Sequence, residues 1–246
     1  LTNPNVVREG NGDMLASRFT QDDVIEIGVD EAGRGSFWGP IVAGAVIVPP
    51  ELEWTDLQRD ILLQMRDSKK ISPKKRANLG KVLRERLPLC GVGVVSAEEI
   101  NEKGITWANQ EAFRRAIGAL PVVAPDCRIL IDGVLSIDKW IGQQETIIEG
   151  DNKYIAIAAA SILAKVTHDQ WIGDYCAAHP ECNERYDLVR SNGYGTAKHR
   201  EGIKTYGGHE LHRSLYIQHW LPGSTRVPKT KSIKKEEPCL IRFSQV

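Results

Sequence analysis

"GVDEAGRGSFWGP" (Gly28–Pro40) carries two acids, one arginine and four glycines, and it begins inside the apolar run Val24–Val29. The run reads as a buried strand. Ending such a strand with Asp30-Glu31 and then breaking it with glycines has two explanations. The stretch is either an acidic turn with a flexible exit or the floor of an active site. Successive strand residues face opposite sides, so a regular strand would separate Asp30 from Glu31. The glycines behind them relax that limit and would let Glu31 swing back toward Asp30.

Working outward, Ile41–Val48 reads as a second strand, stopped by Pro49-Pro50. Asp56–Arg66 is helical in pattern. Ser72-Pro73 supplies an N-cap and a first-turn proline for a helix to about Leu87. Gly91–Ser96 reads as a strand, Ile105–Leu120 as a helix, and Arg128–Asp132 and Thr146–Glu149 as strands. Ile155–Ala178 gives the strongest helical signal, with Ile155, Ala158, Ala159, Ile162 and Val166 on a buried stripe. Its Ala156–Ser161 portion is apolar nearly all round, which predicts close packing in the middle of the molecule. His199–Tyr206 is a further short helix. Short links make the early strands antiparallel and helical crossovers make the later ones parallel, so the expected fold is α/β, a mixed sheet with helices on its faces. The domain limits follow: a loose arm at 1–20, a catalytic body at 21–222 with a small helical C-terminal region, and a basic flexible tail at 223–246.

The 246 residues, 41% of them hydrophobic, suffice for one sizeable core. A formal net charge of zero means that any nucleic-acid surface must be a local patch. No run approaches the ~20 apolar residues of a membrane span. No basic-then-apolar leader opens the chain, so a cytoplasmic monomer is expected. Five cysteines without a C-x-x-C pair do not read as a disulfide scaffold. Cys176, His179 and Cys182 are spaced for one helix face, but Pro180 stops the helix and no fourth ligand is near, so they read as ordinary thiols at a helix end.

Asp132-Gly133 and Gly150-Asp151 repeat the pattern of an acid beside a glycine at a strand end. Each alone reads as a turn or a cap. Together with Asp30 and Glu31, they would crowd carboxylates at the strand edge where α/β sheets bind ligands. The nearest basic residues, Lys139 and Lys153, leave that charge poorly balanced, so a cation is implied. Oxygen-only ligands suit Mg²⁺ or Mn²⁺, and two such ions support phosphodiester cleavage. Gly33 and Gly35 offer bare backbone to a ligand, with Arg34 between them.

"DEAGRG" (Asp30–Gly35), "GPIVAGAVIV" (Gly39–Val48), "DSKKISPKKR" (Asp67–Arg76), "LIDG" (Leu130–Gly133), "GDNKYIAIAAASILAKVTHD" (Gly150–Asp169), "GYGT" (Gly193–Thr196) and "HR" (His212-Arg213) resemble, in order, the ribonuclease HII (type 2 ribonuclease H) family. The resemblance spans roughly Val24 to Leu221. It implies a ribonuclease H-like fold, a five-stranded mixed sheet flanked by helices. It further implies two-metal cleavage of RNA in RNA/DNA hybrids and 5′ of single ribonucleotides in duplex DNA, leaving 5′-phosphate and 3′-hydroxyl ends. By motif match, Asp30, Glu31, Asp132 and Asp151 would bind the metals. Gly33, Arg34 and Gly35 would meet the ribose 2′-hydroxyl, the group that separates RNA from DNA. Tyr194 would stack on the sugar of the next deoxynucleotide. Three places depart from the pattern. Phe37-Trp38 is bulky where a small residue is usual, Ser191-Asn192 replaces His-Lys, and Leu215-Tyr216 replaces Ser-Phe.

Arg66–Arg84 holds eight Lys/Arg and one acid, Asp67. A charge run is usually only a solvated face. Beside these motifs it reads as a phosphate-binding surface, with Lys74, Lys75, Arg76, Lys81 and Arg84 facing solvent. Ser68 and Lys69 are expected to touch phosphate directly, and Lys165 and Arg213 either phosphate or the acids. The tail lysines would add non-specific attraction, and "CLIRF" (Cys239–Phe243) is a poor match to a peptide that docks on a sliding clamp. His168 and His219 read as surface or satisfied residues, and His209 and His212 lack a third metal ligand. A hybrid-binding module without cleavage, or another nuclease or transferase of the same fold acting on DNA junctions, are the competing readings. The intact acids weigh against the first, and the glycine loop with Tyr194 against the second.

Overall fold

The computed structural model describes residues 15–87, 89–121 and 127–224. Five strands form one sheet in the order β3-β2-β1-β4-β5. β1 (Glu26–Ala32), β2 (Ile41–Ile47) and β3 (Cys90–Val95) are antiparallel neighbours. β4 (Arg128–Asp132) pairs in parallel with β1, and β5 (Gln143–Ile147) in parallel with β4. The expected mixed sheet is therefore present. One link differs: β4 reaches its parallel partner β5 through residues 133–142 without a helix.

Between β2 and β3 run α1 (Asp56–Leu62) and α2 (Pro73–Arg86), and between β3 and β4 run α3 (Ala97–Lys103) and α4 (Ile105–Gly118). Ser72 caps α2 by accepting from Lys75 N, and Pro73 sits where its missing N–H costs nothing. Ser96 is the N-cap of α3 rather than the end of a strand. It forms a capping box with Glu99, a signal that the strand reading overran. After β5 comes α5 (Ile155–Ala178), then α6 (Pro180–Tyr186), α7 (Leu188–Ser191), α8 (Ala197–Tyr206) and α9 (Ser214–Ile217). Pro180 ends α5 as expected, and it also opens α6.

Each sheet face is covered by helices. On one face Ile27, Val29, Ile129 and Ile131 pack with Ala108, Ala112, Phe113 and Ala116 of α4. On the other, α5 lies so close that a Cβ at Gly28 would fall 2.2 Å from Ala156 C, and one at Gly44 2.4 Å from Ala160 O. This contact explains why Ala156–Ser161 is apolar all round: the segment is wedged between the sheet and α2. A third cluster joins Trp38, Ile172, Tyr186, Leu188, Ile203 and Ile217 into the C-terminal helical region.

Two limits move. β1 starts at Glu26 and continues through Asp30 and Glu31 to Ala32, so the acids lie in the strand and not behind it. The arm is not loose throughout. Ala16 N donates to Lys153 O at 2.8 Å, and Ala16 O accepts from Ile155 N at 3.0 Å. Residues 15–20 therefore belong to the body. The rest of the arm, the tail lysines and Cys239–Phe243 lie outside the described residues.

Candidate active site

The parallel register Gly28↔Leu130 and Val29↔Ile131 carries Asp30 and Asp132 to the same strand edge. Asp151 reaches it from a 3-10 turn, Gly150–Asn152, that leads into α5. The two segments are tied directly, because Gly150 N donates to Asp132 Oδ1 at 2.8 Å. Glu31 does not swing back toward Asp30. β1 stays regular, so Asp30 faces Ser161 of α5 and Glu31 faces Asn109 of α4. Asp132 lies near enough to raise the pKa of both. Asp132 alternates with Ile131 and so shares the α5 face with Asp30, while Glu31 stands on the opposite face.

The acids repel one another. Asp30 is held well above the usual carboxylate range, first by burial and then by the charges of Glu31 and Asp132. Glu31 is raised mainly by burial, against the pull of Arg34, whose guanidinium lies 3.8 Å from its carboxylate. Asp151 is pushed up to about 6, first by burial and then by Asp132 and Asp67. Lys69 shows the reverse effect: burial opposes its charge, but Asp67, Asp151, Asp30 and Asp132 outweigh it and raise its pKa. The donors are all oxygens, as a hard cation requires. They are gathered rather than converged: among the described residues, no three His, Cys, Asp or Glu side chains stand grouped to hold an ion. That statement covers Cys176, His179 and Cys182 as well.

The glycine loop overhangs this edge. Gly33 is buried at φ +82°, and its N–H donates to Tyr194 Oη at 3.3 Å. Gly35 is exposed, and a Cβ there would meet only Tyr194 Cε1, at 3.7 Å. Arg213 has a different place from the one expected. It is 1% exposed and its guanidinium donates to Arg34 O (2.9 Å), Pro40 O (2.8 Å) and Gly39 O (3.1 Å). It holds the loop from beneath and does not face a phosphate. Burial lowers its pKa to about 10, so it stays charged at neutral pH. Tyr216, one of the departures from the family pattern, adds its hydroxyl to Arg34 O at 3.1 Å. Trp38 lies beneath the loop, wholly buried, stacked on His209 and edge-on to His212, each at 4.7 Å.

Asp67 caps the turn Ser68–Lys70 by accepting from Lys69 N at 2.9 Å. Ser68 points inward, 3% exposed, and its Oγ accepts from Ser161 Oγ at 2.8 Å, so its hydroxyl is not presented to solvent. Lys69 is exposed beside the acids. Lys165 donates to Asp169 at 2.6 Å and lies over the Tyr194 ring at 5.6 Å. Of the basic face, Lys74, Lys75, Lys81 and Arg84 are exposed, but Arg76 folds back onto Ser68 O at 2.7 Å and Ile71 O at 3.0 Å. His168 is a further correction: it is wholly buried, with Nδ1 3.1 Å from Asp169 and Nε2 without a partner. Sequence reasoning missed Asp67, Asn109 and Ser161 as neighbours of the acids. Asp67 carries a signal, an acid two residues before the N–H it caps; the other two carry none.

A five-stranded sheet of this order, with acids at the edge of its central strands, defines a protein of the ribonuclease H-like fold. Residues 27–221 match the ribonuclease HII family model. The chain is 41% identical over 191 residues to ribonuclease HII of Clostridium beijerinckii, covering 77% of this chain and 66% of that protein. It is 40% identical over 192 residues to that of Prochlorococcus marinus, covering 77% and 94%. Ribonuclease H2 from Pyrococcus horikoshii OT3 superposes with a TM-score of 0.63 at 27% identity, over 80% of this chain and 97% of that one. Two more distant structures share the fold. They are ribonuclease HII in its PCNA complex from Archaeoglobus fulgidus (TM-score 0.55, 24% identity, 77% and 94% covered) and Bst ribonuclease HIII with Mn²⁺ (0.58, 19%, 80% and 69%). The chain belongs to the ribonuclease HII family, the type 2 ribonucleases H, which are hydrolases.

Proposed function

We propose that this chain cleaves the RNA strand of RNA/DNA hybrids and nicks duplex DNA on the 5′ side of a single embedded ribonucleotide, leaving 5′-phosphate and 3′-hydroxyl ends. Its roles would be ribonucleotide excision repair and removal of RNA primers. The observation that carries the reading is one juxtaposition: the acidic strand edge lies beside an exposed glycine loop bonded to a half-buried tyrosine.

Asp30, Glu31, Asp132 and Asp151 would hold two Mg²⁺ or Mn²⁺ ions. The oxygen-only donor set and the unbalanced charge of these acids fit such ions. When bound, the ions activate water at neutral pH and balance charge on the leaving oxygen. The chain's own residues supply recognition. The open backbone at Arg34-Gly35 admits a ribose 2′-hydroxyl, Gly33 anchors Tyr194, and Tyr194 stacks on the following sugar. Lys69 and the exposed Lys74, Lys75 and Lys81 attract phosphate. Ser68 supports this surface from within, through Ser161.

The partner is thus duplex nucleic acid, and we take a cytoplasmic monomer as the working form. No helix among the described residues is long and apolar enough to cross a membrane. A sliding clamp as protein partner rests on the Archaeoglobus complex alone.

The deciding experiment offers a DNA duplex with one internal ribonucleotide, a long RNA/DNA hybrid and an all-DNA duplex, with Mg²⁺ or Mn²⁺. Nicking 5′ of the lone ribonucleotide is expected. Equal cutting of the all-DNA duplex refutes the reading. Firm binding without cleavage under either metal would make the protein a binding module.

A further inference from the structure

We propose that the buried His199–His212 pair is a one-way hydrogen-bond relay that fixes Tyr194 against the glycine loop. On that account the pair sets how strongly a ribonucleotide followed by DNA is preferred over one followed by RNA. The proposal rests on the reading of Tyr194 given above.

The two rings lie Nε2 to Nε2 at 3.0 Å, and they are 0% and 2% exposed. One nitrogen must donate and the other accept. His209 N–H donates to His212 Nδ1 at 2.8 Å, so that nitrogen bears a lone pair. A neutral imidazole then carries its proton on Nε2, and His212 donates to His199. With Nε2 accepting, His199 carries its proton on Nδ1. That nitrogen lies 3.0 Å from Tyr194 O, a group that can only accept. One tautomer of each ring satisfies all three contacts. Burial lowers both pKa values, and the neighbouring imidazoles help to push His212 to about 3, so both rings stay neutral.

The relay has no slack. Trp38 meets the His212 ring edge-on at 4.7 Å, and Tyr186 meets it at 4.8 Å. Asn101 Nδ2 donates to His212 O at 2.9 Å. At the other end, Tyr194 Oη accepts from Gly33 N at 3.3 Å, so the tyrosine is held by its carbonyl and by its phenol. The next residue after His212 is Arg213, which holds Arg34 O, Gly39 O and Pro40 O. Two consecutive residues therefore set the gap between tyrosine and loop, one from each side. His199 and His212 are positioning residues that would act on the substrate through Tyr194.

The test compares kcat/KM on a duplex with one ribonucleotide against a continuous RNA/DNA hybrid. His199→Phe keeps a ring and removes both nitrogens. It should lower the ratio about tenfold, the worth of one buried hydrogen bond. His199→Asn places an N–H where Nδ1–H lay and should hold the ratio within about threefold of wild type. In a Tyr194→Ala background, His199→Phe should lower the ratio no further. Equal losses on both substrates, in a variant that melts like wild type, overturn the proposal. Nitrogen-15 NMR of the unmodified protein decides the relay without any assay: His199 protonated on Nδ1 and His212 on Nε2 is expected, and the opposite tautomers overturn it. If the wild type cuts both substrates without discriminating between them, the selectivity role fails and the proposed function stands; if it cuts neither, the proposed function fails, and in both cases the spectrum still decides the relay.

Discussion

Gly33 and Gly35 stand two residues apart in surroundings that predict opposite effects of the same substitution. A Cβ at Gly33 would sit 2.5 Å from the His168 ring, on a backbone at φ +82°. Gly33→Ala should therefore lower stability by about 1–3 kcal/mol, measured by thermal or urea unfolding. Gly35 has open space, so Gly35→Ala should fold normally and instead lose discrimination between RNA and DNA. Unchanged discrimination would remove the loop from substrate recognition. Asp132→Asn separates charge from structure in the same way. The amide keeps the oxygen that accepts from Gly150 N, so the edge stays assembled. Turnover should fall by at least about a hundredfold while hybrid binding stays within about tenfold, because charge placement rather than grip is lost. A fully active Asp132→Asn would exclude this carboxylate from the chemistry.

Among the elements, β1 is held at its start by a buried network. Glu26, 3% exposed, accepts from Phe19 N at 2.8 Å and from Arg128 at 3.1 Å, and Arg128 also reaches Asp22 at 2.8 Å. Arg128→Met removes the nearer of two cations on Glu26, leaving Arg18 at 3.9 Å, and should cost about 2–3 kcal/mol in urea unfolding, with part of it recovered by adding Glu26→Gln. A loss under about 1 kcal/mol would mean that Arg18 and the N–H groups of Phe19 and Thr20 satisfy Glu26 without Arg128. At this scale most of the fold was legible. β4 and α5 have the limits expected and Ser72 is the cap expected, whereas Ser96, read as a strand end, caps the unexpected helix α3. The misplaced limits have tertiary causes. β1 runs on through Asp30 and Glu31 because β2 and β4 pair beside it, and β5, read as Thr146–Glu149, begins at Gln143 where β4 pairs with it, in polar edge residues that carry no strand pattern.

For the whole molecule, the acid cluster stores repulsion that metal or protons relieve. Asp30, Glu31 and Asp151 have folded pKa values raised above their unfolded ones. The stability they contribute is present below the unfolded value and is lost as pH rises through the folded one, about 6 for Asp151. His212 works in the opposite sense. Its folded pKa is lowered to about 3 from 6.5, so its contribution is complete above 6.5 and lost as pH falls toward 3. Mg²⁺ or Mn²⁺ should consequently raise Tm more at pH 8, above the value near 6 of Asp151, than at pH 5, where a proton competes with the ion for that carboxylate. Equal rises at both pH values would show that these acids do not bind the ion.

The sequence by itself determined the alternation of strands and helices, the caps that start the helices, and the motif that brings Asp30, Glu31, Asp132 and Asp151 into one family pattern. Those are matters of local periodicity and residue chemistry. Tertiary structure alone decided which side of the sheet each acid faces, that Arg213 lies under the loop instead of on a phosphate, and that Trp38 and His168 are buried. The reason is range. Arg213 and the carbonyl it holds on Arg34 are 179 residues apart, and no pattern in either segment records the other. "GVDEAGRGSFWGP" could announce an acidic edge and a bare backbone. Only the packing of α4, α5 and the C-terminal helices onto it sets where those groups point.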